Sequence, residues 1–151
     1  MNINLEFKVS LQEHCVRLVN EKIGRLKQQI DARKNDLETA SKSSAGDKHE
    51  TSRAMIHLEQ EKLGFQYMEV EKQSHLLSQI EVSVHSIIKS GSLIVTEKAV
   101  FYISVGLGMV RFNEQDIYII SPISPLAQAF LNSNSKSIQF QTTNYTILSL
   151  V

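Results

Sequence analysis

The chain has one cysteine, two prolines, six glycines and no tryptophan in 151 residues, and its 16 basic side chains are offset by 16 acidic ones. Each scarcity excludes something. A single Cys15 cannot close an internal disulfide, and with no CxxC or paired Cys/His spacing there is no structural zinc site to propose. A reducing, cytoplasmic setting is expected. The balanced charge gives the chain as a whole no electrostatic reason to bind a nucleic-acid backbone or an anionic membrane, so contact with a polymer has to be local or indirect. The N-terminus carries no apolar signal-peptide stretch, and the longest apolar run, Ala99 to Val110, is too short and too glycine-broken to span a bilayer. No membrane contact is expected. A hydrophobic content of 42% suffices for a folded, soluble chain of one ordinary domain or two small ones.

The charges that are present are unevenly placed. Residues 1–80 hold 12 basic and 12 acidic side chains, whereas residues 81–151 hold 4 of each. That fall in charge density predicts a boundary, with residues 1–80 as one domain, 81–91 as a linker ending in the turn-forming Lys89-Ser90-Gly91-Ser92, and 92–151 as a second domain.

In the first part Val16, Val19, Ile23, Leu26, Ile30, Arg33 and Leu37 step by three and four, the seam of a helix running from about residue 9 to 40. Ile56, Leu63, Val70 and Leu77 then recur every seven residues, with Tyr67 at an intermediate position. Lys, Glu, Gln and Arg occupy the remaining faces and no proline interrupts either helix, so a solvated antiparallel coiled-coil hairpin is expected. Its tip falls at 41–52, in the polar run Ser43-Ser44-Ala45-Gly46-Asp47-Lys48-His49-Glu50-Thr51-Ser52. Asp47 and Glu50 are three residues apart, which puts both carboxylates on one helical face, where they could share one hard cation. The same pair also reads as a helix cap, Asp47 at the N-cap and Glu50 three residues on.

From Ser92 onward the pattern changes to short segments rich in Val, Ile, Phe, Tyr and Thr: 92–96, 100–105, 109–112, 117–120, 137–141 and 145–150. Between the fourth and fifth, Ser124 as cap, Pro125 at the first helical position and an apolar stripe at Leu126, Phe130 and Leu131 predict one short helix. The fold class is therefore α+β: a helical hairpin followed by a mostly antiparallel sheet domain with one short helix. Phe101, Tyr102, Phe112, Tyr118, Phe130 and Phe140 are expected to be mostly core. Cys15 is expected in the seam, since the adjacent His14 diverges from it on a helix.

A charged hairpin with a Gly-Asp-x-x-Glu turn, a glycine-serine junction and a strand-rich domain containing Ile123-Ser124-Pro125-Leu126-Ala127-Gln128-Ala129-Phe130-Leu131 resembles the Gre family of bacterial transcript-cleavage factors. The resemblance covers almost the whole chain and is most specific at the SPLAQAFL segment and the two strands that follow. It implies an FK506-binding-protein-like C-terminal domain that docks at the rim of the RNA polymerase secondary channel, with Ser124, Pro125 and Leu126 as partner-binding residues. It also implies that Asp47 and Glu50 help hold a catalytic Mg2+ shared with the polymerase, with indirect contact to the nascent RNA. The factor would then stimulate the polymerase's own cleavage of backtracked transcripts rather than act as an enzyme alone. At the tip, only Gly46, Asp47 and Glu50 match the family's GDLSENAEY-like pattern; Lys48, Arg53 and the nearby Lys42 make it slightly basic, and His49, Thr51 and Ala54 are further departures. A channel-occupying regulator without cleavage is one alternative, and a binding module or prolyl isomerase built on the C-terminal domain is another. The chain is expected to be a monomer.

Overall fold

The computed structural model describes residues 2–42 and 46–151, with only the backbone of residues 46–49. Ser43, Ser44 and Ala45 of the expected tip, and the side chains of Gly46 to His49, lie outside the described residues. The element order is α1 (Leu5–Lys42), α2 (Gly46–Gln79), β1 (Leu93–Thr96), β2 (Val100–Ile103), β3 (Gly108–Phe112), β4 (Gln115–Ile120), α3 (Pro125–Leu131), β5 (Ser137–Phe140) and β6 (Thr143–Leu150). Helix α1 begins earlier than its apolar periodicity alone suggests because Asn4 caps it. The Asn4 Oδ1 accepts from the Phe7 amide at 2.9 Å, and its carbonyl accepts from the Lys8 amide at 3.0 Å.

The chain divides into two compact units, Arg17–Ser74 and a second formed by Met1–Val16 with His75–Val151. The first is the helical hairpin, with arms of about 40 Å at 1.5 Å per residue. Val19, Leu26, Leu63 and Val70 are buried along its seam, and Ile23, Ile30, Arg33, Leu37, Ile56 and Tyr67 are half-buried. The Lys27 ammonium lies 6.0 Å from the Tyr67 ring centre, and Arg33 reaches Glu59 at 3.5 Å and Asp36 at 2.9 Å. As the position on α1 rises, its partner on α2 falls, so the arms are antiparallel. Arg33 is thus accommodated in the seam by turning its guanidinium to two acids at the edge, pairs that contribute at most about 1 kcal/mol each at such exposure. Helix α2 also leaves Met55, Leu58, Phe65 and Met68 exposed, a second apolar stripe that the seam does not use.

The other unit is built on a six-stranded sheet in the order β3-β4-β2-β1-β6-β5. Four of its pairings are antiparallel, but β2 and β4 are parallel, with Val100 opposite Ile117 and Ile103 opposite Ile120. The sheet is therefore mixed but mostly antiparallel, as the short connections lead one to expect. The segment joining β2 to β4 contains β3, which pairs on the outer edge of β4 and leaves β4 to fill the place beside β2. All four residues of β2 are buried, so both faces of the sheet are covered there.

On one face Ile94, Phe101 and Ile103 pack with Ala127 and Phe130 of α3 and with Ile138. The rings of Phe101 and Phe130 are 5.3 Å apart, and Tyr145 meets Phe101 edge-on at 5.5 Å. Burying each such side chain contributes roughly 1.5–3 kcal/mol. On the other face Tyr102, in register with Leu93 and Ile119, meets the first turns of α1. Phe112 and Phe140 are half-buried and Tyr118 is 42% exposed, so three of the six expected core aromatics are fully inside. Cys15 is fully buried as expected.

Candidate functional site

Asp47 and Glu50 both fall at the start of α2, which begins at Gly46. Asp47 therefore sits inside the first turn rather than ahead of it, and its side chain lies outside the described residues. Glu50 is exposed, as are Arg53 and Lys42. Among the described residues no group of three or more His, Cys, Asp or Glu side chains gathers that could hold a metal by itself. A pair of carboxylates offers hard oxygen donors that suit Mg2+, which characteristically takes one or two carboxylates and completes its shell from other ligands and water. The chemistry of the pair fits a partial, shared site.

Ser124 caps α3 by accepting from the Ala127 amide at 3.3 Å, while its own hydroxyl donates to the Ser121 carbonyl at 2.7 Å. Its side chain is thus committed within the chain. Leu126 is half-buried against the α3 face of the core, whereas Pro125 is exposed beside Ile123, which is 86% exposed. The outward apolar surface of this segment is therefore Ile123 and Pro125.

A third set of polar residues is not marked by any motif in the sequence. Lys8 is fully buried, and its ammonium donates to the carbonyls of Ser83 at 2.6 Å and Val151 at 2.8 Å. Loss of solvent, with the nearby Lys89 charge, lowers its pKa from 10.5 to about 8. One turn further on, the Gln12 amide donates to the Leu77 carbonyl at 2.8 Å and its Oε1 accepts from the Tyr102 hydroxyl at 2.6 Å. Burial pushes the Tyr102 phenol up, and it pushes the Cys15 thiol up to about 12. His85 is 4% exposed; its Nδ1 shares a 2.8 Å hydrogen bond with Ser92 Oγ, which also accepts from the Lys89 amide at 2.9 Å. Burial first, then Lys8 and Lys89, lowers the His85 pKa against a smaller opposing effect of Glu81. Lys8, Leu11, Gln12 and Cys15 do follow helical spacing, but a Lys and a Gln in a charged helix carry no sequence signal of burial.

This is the ground plan of an α+β protein in which a long helical hairpin precedes a mixed sheet. Compared with protein-family models, curated proteins and solved structures, the chain matches none. Among the described residues no helix is long and apolar enough to cross a membrane.

Proposed function

We propose that the chain is a Gre-type transcription elongation factor whose sheet unit is an FK506-binding-protein-like module that docks on RNA polymerase at its secondary channel. The hairpin then carries Asp47 and Glu50 toward the polymerase active centre. What supports this reading is one observation: two antiparallel helical arms run up to the segment that bears both carboxylates, and the following unit presents the capped α3 segment with Ile123 and Pro125 outward. The exposed stripe of Met55, Leu58, Phe65 and Met68 gives the hairpin an apolar face for contact with a surrounding protein wall.

In this reading the chain's own residues do three things. Ile123 and Pro125 bind the partner, the hairpin positions the tip, and the carboxylates of Asp47 and Glu50 supply oxygen ligands and orient water near the scissile phosphodiester of a backtracked transcript. Mg2+, when shared with the polymerase, stabilises the attacking and leaving oxygens of that cleavage. Asp47→Ala and Glu50→Ala should each abolish most stimulated transcript shortening in stalled complexes while leaving polymerase binding nearly intact. If binding and cleavage fall together, or neither changes, the carboxylates have only a local structural role. The basic Lys42, Lys48 and Arg53 favour a second reading, in which the tip occupies the channel without assisting cleavage. Wild type that binds polymerase yet shortens no RNA across a Mg2+ titration selects that reading.

A further inference from the structure

A cavity of about 210 Å3 opens in the sheet-bearing unit, lined by Leu76 and Gln79 from the end of α2, by Ile80, Glu81, His85, Lys89 and Ser90 after it, and by Ser104 and Pro122. Its polar lining is Gln79, Glu81, His85, Lys89, Ser90 and Ser104. Ser104 is 2% exposed and its Oγ has no hydrogen-bond partner, although its backbone amide is satisfied by the Ile120 carbonyl at 2.9 Å. A buried hydroxyl without a partner is destabilising, since the large majority of buried polar side-chain atoms in folded proteins are hydrogen-bonded to protein or ordered water. His85 points the same way chemically. Nδ1 is taken up by Ser92 Oγ, so Nε2 is the ring nitrogen left to meet a ligand.

The charge around the cavity is positive. Lys8 and Lys89 both act on His85, and Lys8 is buried with backbone carbonyls as its hydrogen-bond partners. Glu81, exposed at the cavity, is the one acid in the lining. In the lining Lys89 and Glu81 offset each other, and the Lys8 ammonium, which does not line the cavity but acts on His85, leaves the local balance positive; with the unpaired Ser104 hydroxyl as a donor, this favours a ligand that accepts hydrogen bonds and carries negative charge. We propose that this cavity is a binding site for a small oxyanion, a phosphate or carboxylate group, held by Ser104 Oγ, His85 and Lys89. The site is independent of the proposed polymerase role, since none of these residues lies on the hairpin tip or in the Ile123-Pro125 surface.

The probe is inorganic phosphate, with acetate in a parallel arm, titrated into the full chain at pH 7 while the His85 imidazole is followed by 15N NMR. A saturating shift at His85 with either anion is expected, and the arm that saturates at lower concentration identifies the preferred group. Ser104→Ala removes an unsatisfied hydroxyl, so it should fold with an unchanged or higher Tm yet bind about tenfold more weakly or worse. Lys89→Gln, at an exposed position, should weaken binding without unfolding the chain. No saturating shift with either anion, or unaltered binding in both variants, would overturn the proposal.

Discussion

Replacing Lys8 with Met would test the energetics of the base of α1 most sharply, because the native side chain is fully buried yet ionisable. The fall of its pKa from 10.5 to about 8 means that the charged form is less stable in the fold, by about 3 kcal/mol, than its unfolded pKa implies. The direction follows from proton counts. Below pH 8 both states are protonated and the full cost is present; between pH 8 and 10.5 the unfolded chain binds more protons, so stability from this group rises with pH. From pH 7 to 9.5 the gain is about 2 kcal/mol.

Met carries no charge and nearly the same length. Its introduction leaves the Ser83 carbonyl without its 2.6 Å donor, a loss of about 1–2 kcal/mol, whereas the Val151 carbonyl keeps the Leu93 amide at 3.0 Å. At pH 7 Lys8→Met should therefore match or exceed wild type by about 1–2 kcal/mol in urea unfolding, and that advantage should shrink by about 2 kcal/mol at pH 9.5. Cys15 and Tyr102, whose ionisation the fold also opposes, are present in both proteins and cancel in the comparison. Parallel stability curves for the two proteins across this pH range would refute the reasoning.

Gly91 has φ +89°, and a Cβ there would lie 2.8 Å from Ile80 Cγ2, so Gly91→Ala should cost about 2 kcal/mol or more in the same unfolding assay. Cys15, buried with its pKa pushed up to about 12, should remain unreactive to a thiol reagent such as Ellman's in the native protein and react promptly in urea; rapid native labelling would contradict its burial.

Much of the fold was legible in the sequence because burial there follows simple periods. The heptad of Ile56, Leu63, Val70 and Leu77 faces inward, and each strand falls within two residues of its expected segment. Ser124 and Pro125 marked the start of α3 because a capping hydroxyl and a fixed φ are local requirements. The parallel pairing of β2 with β4 was not legible, since nothing local to those strands says that β3 takes the outer edge. Nor were Lys8, Gln12, His85 and Ser104, which are polar and buried for reasons that lie in residues 7 to 143 positions away. Of the candidate tip, the sequence showed the spacing of Asp47 and Glu50. Their proposed action would depend on a metal shell that this chain only partly supplies.

The central proposal is the engagement of RNA polymerase by both units, by the hairpin at Glu50 and by the sheet-bearing unit at Pro125. A photo-crosslinking residue placed at Glu50, and separately at Pro125, in complex with core RNA polymerase at physiological salt measures it directly. The account predicts crosslinks from position 50 to the interior of the secondary channel and from position 125 to its outer rim. Polymerase retained by neither protein, or crosslinks from position 50 confined to the enzyme's outer surface, would contradict it.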